Sequence, residues 1–215
     1  MTTIGVIGSG NIGSAVARAA IGHGYEVVIS NSRGPESLTD LVAELGPQAR
    51  AGTTAEAVEA GDLVLVAIPL KSISDLDPAP FAGKVVIDAN NYYPQRDGQI
   101  AALDDESTTT SELLQAHLAD AKVVKAFNHI RAAEILTTAR PVGALGRRAL
   151  VVAGDDQAAK DQVAGFIDTI GFDVLDIGRL SEGWRIQRDT PGYTQERDIA
   201  GLKADVAAAK RYRDM

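Results

Sequence analysis

The most informative stretch of the sequence lies near the start of the chain and reads Thr3-Ile4-Gly5-Val6-Ile7-Gly8-Ser9-Gly10-Asn11-Ile12-Gly13. An apolar run of strand length leads directly into glycines with the spacing Gly-x-Gly-x-x-Gly, and a helical pattern follows. In such a turn the first glycine makes the tight bend, the second leaves space for a pyrophosphate, and the third lets helix and strand pack closely. The helix N-terminus adds free N–H groups and the positive end of a dipole. The alternative is a glycine-rich turn that binds nothing. We predict a dinucleotide phosphate site at Gly8, Ser9, Gly10, Asn11, Ile12 and Gly13.

The same alternation of strand and helix continues along the chain. Apolar runs rich in Val and Ile lie at residues 4–7, 26–29, 63–68, 85–88, 123–127, 149–153 and 172–177. Segments with helical spacing lie at about residues 12–22, 36–45, 54–59, 110–118 and 157–170. Near-continuous hydrophobicity is typical of parallel strands that are buried on both faces. We therefore predict an α/β fold with a doubly wound parallel sheet of the Rossmann type over residues 1–178. A loop and a short helical tail follow over residues 179–215.

Composition excludes several function classes. The 215 residues suit one domain with an appendage. Cysteine is absent, which excludes disulfides and thiolate chemistry, and the three histidines are scattered, so we predict no metal site. A net charge of -8 argues against binding to nucleic acid or to an anionic membrane. The start has no basic segment before its short apolar run and no stretch approaches the roughly 18 apolar residues of a membrane span, so we expect a cytoplasmic protein.

The end of the second predicted strand favours NADP(H) over NAD(H). NAD-binding versions of this fold carry an acidic residue there, which holds the ribose hydroxyls. This chain instead reads Ser30-Asn31-Ser32-Arg33, and its nearest acid, Glu26, stands at the start of the strand. Hydroxyl, amide and guanidinium groups bind a 2′-phosphate that a carboxylate would repel. The competing interpretation is that Asn31 or Ser32 merely caps the next helix.

Three further strand ends carry candidate ligand contacts, because ligands of such sheets lie across the carboxyl ends of the strands. Ile68 and Pro69 are suited to form an apolar wall beside a nucleotide base. Asn90 and Asn128 offer amides to a carboxamide or a heterocycle, although asparagine is also common in turns for local reasons. His129 is a candidate general acid, but a lone histidine without a carboxylate partner is more typical of a structural role.

Charge and length in the second half of the chain suggest how a second ligand binds beside the nucleotide. The segment from Lys122 to Arg148 holds six cations against one acid, Glu134, and this indicates either a solvated basic face or a site for an anionic second ligand. The 37 residues after Gly178 are too few for a large helical substrate domain. We therefore expect an open, shallow pocket that suits a planar redox partner.

An apolar stripe on the last helix predicts packing against the chain's own domain or, in a homodimer, against a second subunit. The stripe consists of Ile199, Leu202, Val206, Ala209 and Tyr212.

Several motifs together resemble the NADPH-dependent reductases of the deazaflavin coenzyme F420. These are Gly8-Ser-Gly-Asn-Ile-Gly13, Ser30-Asn-Ser-Arg33, Ala67-Ile-Pro69, Asp88-Ala-Asn90 and Val123-Val-Lys-Ala-Phe-Asn128. The pattern is also similar to the cytoplasmic domain of the STEAP metalloreductases, which pass hydride to a flavin. It covers about residues 1–178 and, more loosely, the tail.

The resemblance implies a set of contacts. NADP(H) would lie along Ser9 to Ile12, at Ser32 and Arg33, and along Ile68 and Pro69. A ring-binding face would lie near Asn128 to Ala132. Archaeal F420 reductases carry His-Thr-Ile-Pro where this chain has Asn128-His-Ile-Arg131.

Three functional hypotheses follow from the sequence. The first is a reductase that moves hydride between NADP(H) and a small-molecule co-substrate, either coenzyme F420 or a flavin. The second is a non-catalytic NADP(H)-binding module whose tail contacts a partner protein. The third is a reductase of a small carbonyl or imine substrate, with His129 or Tyr93 as proton donor.

Overall fold

The computed structural model describes residues 2–212 and contains one sheet of eight strands. The strand order is β3-β2-β1-β4-β5-β6-β7-β8. The predicted doubly wound α/β fold is confirmed. The strands are β1 Thr3–Ile7, β2 Glu26–Ser30, β3 Ala49–Ala51, β4 Leu63–Val66, β5 Val85–Asp88, β6 Lys122–Lys125, β7 Ala149–Gly154 and β8 Asp173–Asp176.

The helices cover both faces of this sheet. They are α1 Asn11–Gly22, α2 Thr39–Leu45, α3 Thr54–Ala60, α4 Pro94–Asp97, α5 Ala101–Asp104, α6 Thr110–His117, α7 Ala132–Thr137, α8 Gln157–Thr169 and α9 Ile199–Ala208. The predicted helix at about 36–45 is a 3-10 turn that continues into α2. Thr53 and Thr109 start α3 and α6 with reciprocal side-chain and backbone hydrogen bonds, which stabilise a helix N-terminus.

The carboxyl ends of the first six strands meet at one edge of the sheet. β1 lies between β2 and β4, so the chain changes direction across the sheet at this point and opens a crevice between the loops after β1 and β4. The sequence did not indicate that β7 runs antiparallel to β6, because an apolar run carries no direction. The long connection from β6 to β7 contains α7 and begins near Phe127, whose φ of 60° is rare outside glycine.

The core consists of two apolar layers, one on each face of the sheet. Val64 and Leu65 are neighbours on β4 that point to opposite faces, and both are fully buried. Burial on both faces is what the continuous apolar runs predicted.

The tail packs onto the far end of the same sheet. Leu202 of α9 is fully buried against Val151 of β7 and Ile186. The apolar stripe therefore belongs largely to the chain's own domain and does not argue for a second subunit. Ala209 and Tyr212 lie beyond the last residue of α9, and Ile199 is 42% exposed. Among residues 2–212, every helix is too short or too polar to cross a bilayer.

Candidate functional site

The glycine loop between β1 and α1 has the geometry of a phosphate-binding turn. Gly8 has a φ of 106°, and a Cβ there would lie 2.3 Å from the Ala67 carbonyl oxygen. A Cβ on Gly13 would lie 1.8 Å from the Gly8 carbonyl oxygen, so the third glycine permits close packing of helix and strand. A Cβ on Gly10 would meet nothing within 4 Å. Gly10 is also the N-cap of α1 and provides no side-chain cap. The first N–H groups of α1 therefore face open space, which suits an anion.

Two adjoining clefts lie on either side of this loop. The first, which we call the Arg33 cleft, has a volume of about 450 Å³. The second, which we call the Asn90 cleft, has a volume of about 740 Å³. Both clefts are lined by Gly10, Ala67, Ile68 and Pro69. An extended ligand can therefore pass from one cleft to the other across Gly10. The predicted residues Gly8, Ser9, Asn31, Ser32 and Arg33 line the Arg33 cleft, and Asn11, Ile12 and Asn90 line the Asn90 cleft.

The loop after β2 presents a cation and a hydroxyl to the Arg33 cleft. The backbone N–H of Arg33 donates to Asn31 Oδ1 at 2.9 Å, and Asn31 Nδ2 donates to Ser37 Oγ at 2.9 Å. Asn31 thus braces the loop, but neither Asn31 nor Ser32 caps the following helix. The N-cap residues of the 3-10 turn and of α2 are Gly34 and Leu38, and neither provides a side-chain cap. Ser32 and Arg33 are exposed, and neither side chain has a hydrogen-bond partner within residues 2–212. One acid, Asp75, lies elsewhere on the wall of this cleft.

A buried polar network underlies the Asn90 cleft, and sequence reasoning missed most of it. Lys125 Nζ lies 3.1 Å from Asp88 Oδ2, and both side chains are at most 2% exposed. The ammonium group also donates to Thr110 Oγ1 at 2.9 Å and to the Asn90 carbonyl oxygen. Burial lowers the pKa of Lys125, while the Asp88 carboxylate opposes that change. A usable signal existed, because Asp88 and Lys125 are charged residues at the ends of apolar strands.

Two of the predicted ligand contacts lie behind the cleft wall. Asn128 is buried, and its Nδ2 donates to Asn91 Oδ1 at 3.2 Å and to the Ile186 carbonyl oxygen at 2.9 Å. Asn91, which was not among the predicted ligand contacts, lines the Asn90 cleft. Ala132 is the first residue of α7 and packs against the core. Direct ligand contact at Asn128 and Ala132 stays a prediction.

His129 and Tyr93, the two candidate proton donors, have different surroundings. His129 is 1% exposed, and its Nε2 accepts a hydrogen bond from the Val151 N–H at 3.3 Å. Burial, together with the charges of Arg148 and Lys125, lowers the pKa of His129 to about 3. The ring is therefore neutral at pH 7 and serves the fold. Tyr93 lines the Asn90 cleft, and its hydroxyl lies 2.7 Å from the Tyr193 hydroxyl.

The cations between Lys122 and Arg148 do not form one basic patch, so the charge count supports neither a solvated basic face nor an anion site in that segment. Five of the six form ion pairs, three of them with acids from outside that segment. Three of the six are buried. Residues that are close in sequence are thus distributed over different parts of the fold. The five pairs are Lys122–Asp156, Lys125–Asp88, Arg131–Glu134, Arg147–Asp168 and Arg148–Glu134.

Comparison with known proteins connects this geometry to one family. Residues 3–92 match the family model described as NADP oxidoreductase coenzyme F420-dependent. The crystal structure of the hypothetical protein SMa0349 from Sinorhizobium meliloti is similar, with a TM-score of 0.77 and 33% identity over 91% of this chain and 95% of that one. A candidate F420-dependent NADP-reductase from Arthrobacter sp. FB24 has a TM-score of 0.70 and 28% identity over 83% of this chain and 85% of that one.

The metalloreductase STEAP3 of Rattus norvegicus is similar as well. It is 28% identical over 186 residues, which is 86% of this chain and 35% of STEAP3. The chain thus spans about a third of the length of that curated relative. The matched family segment of residues 3–92 contains the glycine loop, Arg33, Ile68, Pro69 and Asn90.

Proposed function

Because the chain belongs to the family of coenzyme F420-dependent NADP oxidoreductases, we propose that it transfers hydride from NADPH to the central ring of coenzyme F420 or of a flavin. The hydride leaves the nicotinamide C4 with its electron pair, a proton from solvent completes reduction of the acceptor, and NADP⁺ is released. The acceptor is a diffusible co-substrate in this proposal.

The observation that carries the proposal is the pair of adjoining clefts that share Gly10. The adenosine half of the nucleotide fits the Arg33 cleft, where Ser32 and Arg33 would hold a 2′-phosphate. The pyrophosphate would accept hydrogen bonds from the free N–H groups of α1, and the nicotinamide would enter the Asn90 cleft. Ile68 and Pro69 would form the apolar wall that both halves share.

The size of the Asn90 cleft supports a ring-shaped acceptor. Its volume of about 740 Å³ lies in the upper part of the range of small-molecule sites, roughly 300–1,000 Å³. Transfer between two cofactor rings needs the protein mainly for positioning, because the reacting atoms belong to the cofactors. The neutral, buried state of His129 is consistent with such a reaction.

A second candidate function is reduction of a small carbonyl or imine compound. The observation that favours it is the position of Tyr93 on the wall of the Asn90 cleft, with its hydroxyl hydrogen-bonded to that of Tyr193. A proton from that hydroxyl would complete a reduction at a carbonyl oxygen or an imine nitrogen.

The proposal is tested by following NADPH oxidation at 340 nm with purified protein and separate acceptors: coenzyme F420, FMN, FAD, a cyclic imine and none. We expect turnover with F420 or a flavin above the rate without acceptor, and slower turnover when NADH replaces NADPH. Activity with the imine alone would favour the second candidate. NADPH binding without turnover of any acceptor would indicate a non-catalytic binding module and would refute the proposal.

A further inference from the structure

One buried amide group beside the Asn90 cleft has an unused donor. Asn90 is 3% exposed and lines the cleft. Its side-chain Oδ1 accepts a hydrogen bond from the Ile68 N–H at 3.1 Å. Its Nδ2 is buried and has no partner within residues 2–212. A buried donor without a partner is unfavourable, so its position in a residue of the cleft wall suggests that an atom of a bound ligand accepts its hydrogen bond.

The orientation of this amide is set by a buried ion pair. The backbone N–H of Asn90 donates to Asp88 Oδ1 at 2.9 Å. The backbone carbonyl oxygen of Asn90 accepts from Lys125 Nζ. Both backbone groups of Asn90 are therefore held by Asp88 and Lys125, and the Ile68 N–H fixes the rotation of the side-chain amide.

The ion pair is in turn held by the start of α6. Ser111 Oγ donates to Asp88 Oδ2 at 2.6 Å, and Thr110 Oγ1 accepts from Lys125 Nζ at 2.9 Å. Unlike Asn90, neither Asp88 nor Lys125 lines the cleft, and both side chains are buried. A buried ion pair adds little net stability compared with apolar residues of similar volume. The bonds to Asn90 therefore suggest that the pair serves the site.

We propose that Asp88 and Lys125 are positioning residues that direct the Asn90 amide N–H at an oxygen atom in the nicotinamide half of bound NADP(H). This inference rests on the proposed function. It assigns nicotinamide recognition to a three-residue unit in which Asn90 alone touches the ligand.

The contact itself is tested by comparing two ligands in fluorescence or calorimetric titrations. NADPH reaches both clefts, whereas adenosine 2′,5′-bisphosphate reaches only the Arg33 cleft. Asn90→Asp keeps the oxygen that accepts from the Ile68 N–H and removes the donor. We expect a rise of about fivefold to tenfold in the Kd of NADPH, as for loss of one hydrogen bond. The Kd of the bisphosphate should stay within twofold.

The positioning role is tested by a double-mutant cycle with Lys125→Met and Asn90→Ala. If Lys125 acts through Asn90, Lys125→Met raises the Kd of NADPH about fivefold in the wild-type chain and less than twofold in the Asn90→Ala chain. A purely structural role would give equal factors in both chains.

A second buried lysine provides a matched control. Lys160 of α8 pairs with Asp176 of β8 at 2.8 Å and lines neither cleft. Lys160→Met should lower the melting temperature without changing the ratio of the two Kd values. If Lys125→Met does not fold, Ser111→Ala removes only the bond to Asp88 and takes its place in the cycle.

The outcomes separate this inference from the proposed function. Equal effects of Lys125→Met in both chains, or unchanged NADPH binding by Asn90→Asp, would overturn the positioning role while leaving NADPH turnover intact. Failure of the wild-type chain to bind NADPH would instead refute the proposed function.

Discussion

Alanine substitutions at Gly10 and Gly13 of the phosphate loop should have different effects on nucleotide affinity and on the stability of the fold. Gly10 has φ of -73° and ψ of -171°, which alanine also adopts, and a Cβ there meets nothing within 4 Å. Gly10→Ala should therefore raise stability by about 0.4–1 kcal/mol, because alanine restricts the unfolded chain. The melting temperature should rise by about 1–4 °C for a chain of this size. The same methyl group occupies the space assigned to the pyrophosphate, so the Kd of NADPH should rise by at least about tenfold, as when one charge-assisted hydrogen bond is lost.

Gly13→Ala should behave in the opposite way in the absence of ligand. Its Cβ would lie 1.8 Å from the Gly8 carbonyl oxygen, which is backbone and cannot rotate away. Overpacking of this kind costs about 3 kcal/mol, at the upper end of the usual range, and lowers the melting temperature by roughly 6–12 °C. Thermal unfolding without NADPH measures the stability of both variants, and the shift of the melting temperature with NADPH measures their affinity for it. If Gly10→Ala keeps the wild-type Kd, the pyrophosphate does not lie over Gly10.

Three further outcomes follow from single side chains. His129→Gln keeps an acceptor for the Val151 N–H but cannot titrate, so the wild-type chain should lose about 2 kcal/mol more stability between pH 7 and pH 5 than the variant does. The unfolded chain takes up a proton below the ordinary histidine pKa near 6.5, while the folded chain does so only below about 3. Denaturant unfolding at both pH values measures the two losses. Equal losses in the wild-type chain and the variant would contradict a buried, neutral His129 ring. Tyr93→Phe should change kcat with the ring acceptor by less than about threefold, whereas loss of a general acid costs roughly a hundredfold or more. Arg147→Met should lower the free energy of unfolding by about 2 kcal/mol, because the arginine is buried against two partly exposed carboxylates, and a weaker NADPH affinity would show that this region belongs to the site after all.

The fold was predictable because its decisive signals are local. Gly8 and Gly13 fulfil steric requirements that no other residue meets there, and the continuous apolar runs reflect strands buried on both faces. The direction of β7 was not predictable, since an apolar run carries no direction and β6 and β7 are joined by a long connection that contains α7. The three-residue strand β3 and the short helix α7 gave too few residues for a periodic pattern.

The candidate site was predictable in part, for a physical reason. Arg33 and Asn90 follow directly from strand ends, so their positions on the crevice could be inferred from sequence order. The role of Lys125 could not, because its partners come from β5 and from the start of α6. Counting charges along the chain failed at Lys122 and Arg147 for the same reason, since each is paired with an acid outside the counted segment, Asp156 and Asp168 respectively.

If the Arg33 cleft binds the 2′-phosphate of NADP(H), Arg33→Ala should weaken the binding of NADPH but not of NADH. The guanidinium is exposed and makes no hydrogen bond within residues 2–212, so its removal should leave the melting temperature unchanged. Loss of a charge-assisted contact should raise the Kd of NADPH by roughly 10–100-fold and leave the Kd of NADH within about twofold. Equal weakening of both nucleotides, or of neither, would show that Arg33 does not bind the 2′-phosphate.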